Sequence, residues 1–269
     1  MNGLRSVTTG TNNLEQTKTL FKDTLGLSVE SKGNALRFGD AELSSGTRIH
    51  FVEIPNYQNE DNHIDNIGLR VPSDEGLDEY ISILDQKQIE HSAITDLNGH
   101  AYIEFKDHNG QSFHLYSNEH NTGAPLGTPT FDSTVNPLHQ IQGLGPVLVK
   151  VNELLLTQSI LTNVFGLTHF AEYTPHPDSD YKVQVFRIGD GGLGGEIHIF
   201  ASTEELKMPE QGIVEQIEFA TESKAQFQNA LQQLESIGIP YQTLDQDGEK
   251  SLRITENSGI TFILTLEIK

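Results

Sequence analysis

The chain has 269 residues, enough for one large domain or two of ordinary size, each with its own apolar core. Its 17 Lys and Arg against 38 Asp and Glu leave a formal charge of −21, which argues against nucleic acid and anionic membrane, since both require clustered cations. With no cysteine there is no disulfide, thiolate nucleophile or thiolate metal site, and with no signal-like N-terminus or bilayer-length apolar run the expected setting is soluble and cytoplasmic.

The first unit opens with an extended piece near Leu4 to Thr9. A helix from about Asn13 to Thr24 follows, capped by Asn12 or Asn13 and striped by Leu14, Thr17, Leu20, Phe21 and Leu25. It stops at Leu25-Gly26-Leu27, where Gly26 suits a left-handed C-cap. Strands are expected at 28–31, 34–38 and 48–54, giving the order β-α-β-β-β. The second unit repeats it: strand 64–71, a helix after Pro72-Ser73-Asp74 with Leu77, Tyr80, Ile81 and Leu84 on one face, and strands 89–94, 101–105 and 112–116. The last two are joined through Asn109-Gly110, a strong hairpin signal.

Residues 119–140 carry Gly123, Pro125, Gly127, Pro129 and Pro137 and read as a surface linker between an N-terminal domain, 1–118, and a C-terminal domain, 141–269. The third unit has a strand at 144–151, a helix stopping at Phe165-Gly166-Leu167, and strands 168–173, 182–188 and 196–201. Its glycine-rich stretch from Gly189 to Gly195 leads into a strand rather than a helix, so it lacks the context of a phosphate loop. The fourth unit has a strand at 213–220, a helix at 223–237 closed by Gly238, and strands 239–244, 252–255 and 260–266.

Three closing strands share a pattern: RIHFV around His50, SFHLY around His114 and EIHIF around His198. Alternation sends Ile49/Phe51, Phe113/Leu115 and Ile197/Ile199 to a packing layer and the three imidazoles to the opposite face. Glu196 shares its strand face with His198. It can orient the ring or act as its acid–base partner, or else stand in water at a hairpin end. His63, His91, His100, His108, His120, His139 and His176 lie in loops or near strand ends and read as solvated surface.

Four such units, the two Leu/Phe-Gly-Leu helix stops and the hairpin DHNGQSFHLY from Asp107 to Tyr116 resemble the vicinal-oxygen-chelate superfamily. This is the group of glyoxalases, bleomycin-binding proteins and extradiol ring-cleaving dioxygenases, and the four-module dioxygenase branch is most similar. The resemblance implies an α+β fold of four βαβββ modules forming two curled mixed sheets with helices outside. It also implies a divalent metal, Fe, Zn, Mn or Ni, held by His and Glu from the first and last strands of modules. Carried onto this chain, those positions fall at Arg5 or Ser6, at Glu215 or Gln216, and at Ile263. Asn66, and Gly145 or Pro146, hold the other first-strand positions. None is the usual ligand type, although Glu215 could coordinate.

His50, His114 and His198 stand where closing strands of metal-binding relatives carry glutamate. If modules one and four pair, and two and three, only His114 and His198 meet, and His50 faces Ser6, Gln216 and Ile263. If one pairs with two, His50 and His114 meet instead. The expected function is that of a glyoxalase- or dioxygenase-like protein with its usual metal ligands replaced, binding a small molecule through His50, His114, His198, Gln216 and Glu196. The alternative is an active metal-dependent ring-cleaving dioxygenase or glyoxalase-like enzyme, with His114 and His198 as metal ligands. Neither nucleic acid nor membrane is expected as a partner, and a homodimer is left open.

Overall fold

The computed structural model describes residues 3–57, 59, 62–208, 214–246, 248–257 and 259–267. Module one comprises β1 (Gly3–Thr11), α1 (Leu14–Lys18), β2 (Ser28–Lys32), β3 (Ala35–Gly39) and β4 (Arg48–Glu53). Module two comprises β5 (Ile64–Val71), α2 (Asp74–Gln86), β6 (Thr95–Leu97), β7 (His100–Lys106) and β8 (Ser112–Ser117). Module three comprises β9 (Gly143–Val151), α3 (Leu154–Ser159), β10 (Thr168–Tyr173), β11 (Val183–Arg187) and β12 (Glu196–Ala201). Module four comprises β13 (Gln216–Thr221), α4 (Lys224–Ile237), β14 (Gln242–Gln246), β15 (Glu249–Thr255) and β16 (Thr261–Leu266). The order β-α-β-β-β recurs four times, as the sequence pattern predicts.

The helix stops explain the echo between modules one and three. α1 widens into π-type turns over Thr19–Thr24, and α3 does the same over Ile160–Val164. The Leu25 amide then reaches Leu20 O and the Leu27 amide reaches Phe21 O; Phe165 and Leu167 reach Ile160 O and Leu161 O in the same way. Gly26 (φ 79°) and Gly166 (φ 71°) take the left-handed conformation that this exit demands. Residues 89–94, expected as a strand, form only an isolated bridge, His91 to Phe105; the module's second strand is β6 at Thr95–Leu97 instead. The serine and threonine hydroxyls here bond to nearby carbonyls, Ser92 and Thr95 both to Ala93 O, and these turn-like local bonds compete with a ladder.

The strands form two mixed eight-stranded sheets. Sheet A runs β14-β15-β16-β13-β1-β4-β3-β2 and sheet B runs β10-β11-β12-β9-β5-β8-β7-β6. Modules one and four therefore build sheet A across the antiparallel β1–β13 seam, and modules two and three build sheet B across β5–β9. Each sheet takes strands from both sides of residues 119–140. One continuous apolar core joins the modules. Phe21 of α1 packs on Phe51 at 4.8 Å between centroids and on Phe113 of sheet B at 5.2 Å, and the buried Tyr80 hydroxyl of α2 donates to Leu25 O at 2.7 Å. The helices cover one face of each sheet, which leaves the other face for polar side chains. Among the described residues no helix is long and apolar enough to cross a membrane.

Candidate functional site

The two helix-free faces differ. On sheet A, register aligns Ser6 with Glu218 and Arg48, and Thr8 with Gln216 and His50. Glu218 aligns with Ile263. The centre of this face is filled by one guanidinium. Arg5 donates through Nη1 to Glu218 at 2.6 Å, through Nη2 to Glu249 at 2.6 Å and through Nε to Glu267 at 2.9 Å. Ser6 and Thr265 hydroxyls add bonds to Glu218 at 2.6 and 2.5 Å. His50 accepts at Nε2 from Arg37 Nε at 3.1 Å, and burial, with the Arg37 charge behind it, pushes the imidazole down to about 4. Gln216 is half-buried at the start of β13.

Glu215 does not face this network. It is buried at the neighbouring β5 terminus, where its carboxylate accepts from the amides of His63 and Ile64 at 2.7 and 2.8 Å and meets His63 Nδ1 at 2.9 Å. His63 is therefore not a solvated side chain; it is fully buried, because it ties the start of β5 to the start of β13. His139 and His91 also depart from the solvated reading, paired with Glu79 and Asp85 respectively.

Sheet B brings His114 and His198 onto one helix-free face. There each imidazole stands between a tyrosine and a glutamate. His198 Nδ1 meets the Tyr173 hydroxyl at 3.1 Å and its Nε2 meets Glu196 Oε2 at 3.2 Å. His114 Nδ1 meets the Tyr116 hydroxyl at 3.1 Å and its Nε2 faces Glu104 Oε2 at 3.7 Å. Glu196 is thus not a solvated hairpin end; the β11–β12 pairing folds it under Arg187 and against the imidazole. Ser112 donates to Glu104 at 2.8 Å and is itself held by Asn66 at 2.9 Å. The nearby His114 imidazole and the Ser112 hydroxyl, against some opposing burial, hold the Glu104 carboxyl down at about 2.

Of these groups Tyr116, Tyr173, His198 and Glu196, with Arg187 and Pro146 among others, line a cavity of about 400 Å³, whereas His114 and Glu104 are not among its lining residues. Tyr102 stacks near His114 and Tyr116 at 4.6 and 5.2 Å. Burial raises all three phenols, and neighbouring tyrosines and glutamates add to it. The sequence reading named His114, His198 and Glu196 but none of the tyrosines beside them. Tyr116 carried a signal, since it lies two residues from His114 and so on the same strand face. Tyr173 carried none, because it reaches His198 only across the β10–β11–β12 pairing.

The donor set does not fit a chelated metal. On sheet A Arg5 already stands as the cation among the three glutamates. On sheet B both ring nitrogens of each histidine face side-chain partners. Among the described residues, no group of three or more His, Asp or Glu side chains is placed to hold a metal ion.

No family model matches the sequence. The chain is 30% identical over 211 residues to a Bacillus subtilis (strain 168) protein named as a ring-cleaving dioxygenase, MhqA; the match takes in 74% of this chain and 65% of that protein's length. Among solved structures it is similar to a protein described as a dioxygenase from Bacillus subtilis subsp. subtilis str. 168, with a TM-score of 0.77 at 17% identity over 100% of this chain and 86% of that one. It is also similar to glyoxalase I from Zea mays, with a TM-score of 0.66 at 10% identity, covering 98% of this chain and 92% of that one.

Proposed function

Because the chain belongs to the vicinal-oxygen-chelate superfamily, we propose that it uses the scaffold to bind a small molecule in the sheet B cavity through side-chain hydrogen bonds rather than a chelated metal. The observation that carries this reading is the lining of one cavity by His198, Glu196, Tyr116 and Tyr173, with Tyr173 bonded to His198 and Tyr116 to His114. A cavity of this volume, with aromatic walls and a few convergent polar groups, suits a one-ring ligand. Sheet A supports the same reading from the other side, since its polar face is closed by the Arg5 network.

The test is metal analysis of the purified protein, with thermal shifts in Fe(II), Mn(II), Zn(II) and Ni(II) and against a panel of small aromatic compounds. The expected result is no stoichiometric metal, no metal-induced rise in Tm, and a rise with at least one organic ligand that His198→Ala abolishes. Stoichiometric metal that is lost, together with turnover, in His114→Ala or His198→Ala would overturn it. That outcome would favour the second reading, a metal-dependent ring-cleaving enzyme, for which the 30% identity to the MhqA protein speaks.

A further inference from the structure

The tyrosine–histidine–glutamate chain through His198 fixes where the Tyr173 hydroxyl proton points. An ionised carboxylate can only accept. Glu196 Oε2, 3.2 Å from His198 Nε2, therefore places the ring proton on that nitrogen. In a neutral imidazole Nδ1 is then a lone pair, and the Tyr173 hydroxyl 3.1 Å away must donate to it. The Tyr116 hydroxyl likewise lies 3.1 Å from His114 Nδ1, but His114 Nε2 stands 3.7 Å from Glu104, beyond hydrogen-bond distance. The Tyr173 hydroxyl proton is thus the one turned toward an imidazole by a bonded carboxylate. Both phenolic oxygens keep lone pairs for whatever occupies the cavity.

The lining therefore offers acceptors: two phenolic oxygens and the Glu196 carboxylate. Glu172 also lines the cavity, with its carboxylate already paired with Lys182 and Gln184. Among the lining residues the cation is Arg187, and its charge is already engaged, with Nε 3.8 Å from Glu196 and the guanidinium 3.1 Å above the Phe170 ring. The other donors, Asn98 and His100, sit in and beside the β6–β7 turn at the rim. The lining also carries the rings of Tyr116 and Tyr173, and aromatic rings attract a cation. A chain of charge −21 draws cations toward such a cleft.

We infer, resting on the small-molecule reading above, that this cavity selects an organic cation: a one-ring aromatic compound bearing an ammonium group, whose N–H groups donate to Tyr116, Tyr173 and Glu196. An anionic ring compound of the same size would meet lone pairs and carboxylates on the same wall.

Calorimetric titration at pH 8 and moderate salt with 2-phenylethylamine, 2-phenylethanol and phenylacetate tests this with three probes of similar shape and different charge. The amine is expected to bind at least about tenfold more tightly than either other probe. Tyr173→Phe and Glu196→Gln are each expected to weaken it about tenfold, while Glu90→Gln, exposed outside the cavity, leaves it unchanged. Glu196→Gln keeps the inference testable if Tyr173→Phe fails to fold. Equal or tighter binding of the alcohol or carboxylate, lost in the same two variants, would overturn the cation preference and leave the cavity reading standing. Amine binding that neither variant alters would overturn the placement of the ammonium group. No binding by any of the three would overturn the inference, and the broader aromatic panel then decides the cavity reading separately.

Discussion

Arg5 and Glu218, on the adjacent strands β1 and β13, form a 2.6 Å ion pair with side chains only 9% and 13% exposed. Burial disfavours both charges, yet Arg5 itself and the hydroxyls of Ser6 and Thr265 hold the Glu218 carboxyl below its ordinary range. Removing one partner of such a pair strands the other charge. Arg5→Met is expected to lower the unfolding free energy by about 3–5 kcal/mol. Glu218→Gln should cost less, because Arg5 keeps Glu249 and Glu267. Urea unfolding of both variants against wild type checks the order. A loss of under about 1 kcal/mol in Arg5→Met, the range of exposed pairs, would show the network to be peripheral.

His50 gives sheet A a pH dependence. Its folded value of about 4 lies below the ordinary 6.5, so the unfolded chain binds the extra proton between those two values. The stability this contributes is complete above about 6.5 and is lost as pH falls toward 4. The shift corresponds to about 3 kcal/mol. His50→Gln, which keeps an acceptor for Arg37, is expected to flatten the urea midpoint between pH 6.5 and 4. An unchanged slope in that window would place the titrating group elsewhere.

The repeat was legible in the sequence because each unit carries its own punctuation: a capped helix, a Gly-Leu stop and alternating strands. The partner of each module was not legible, since nothing local distinguishes the β1–β13 seam from a β1–β5 seam. The residues that meet across the seam are far apart in the chain, such as Arg5 and Ser6 of β1 with Glu218 of β13. The same limit applies to side chains. His114 and His198 were found from their own strands, whereas Tyr173 and the Arg5 carboxylates emerge only once strands are paired. His63 was misread because a histidine preceding a strand looks exposed until Glu215 is brought to it from 152 residues away.

Arg70 is buried and its guanidinium donates to neutral oxygens: Leu144 O at 2.7 Å, Ala124 O at 2.8 Å, Asn118 Oδ1 at 3.0 Å and Pro125 O at 3.1 Å. Burial lowers the guanidinium to about 10. Through these bonds a strand residue of sheet B anchors the 119–140 segment. Arg70→Met leaves those acceptors buried and unpaired, at about 3 kcal/mol or more in total. Limited proteolysis should then cut first within 119–140. Cleavage elsewhere first, with 119–140 still protected, would show that Val135 and Gln140, both buried, hold the segment without Arg70.

Glu215 stands at a position where metal-binding relatives are expected to carry a ligand, but its oxygens are committed to two amides and His63. Such charge-assisted bonds contribute about 1.5–3 kcal/mol each when their partners are buried. Glu215→Ala removes them and unpins the start of β5 from the start of β13, so a loss of about 3 kcal/mol or more is expected. Glu215→Gln keeps one acceptor oxygen and should recover part of it. The same two variants separate a structural carboxylate from a metal ligand. In the structural case both change the urea midpoint in that order, while metal content and ligand affinity of the sheet B cavity stay at wild-type values. A bound metal lost in Glu215→Gln without a matching loss of stability would give this carboxylate back its ancestral role.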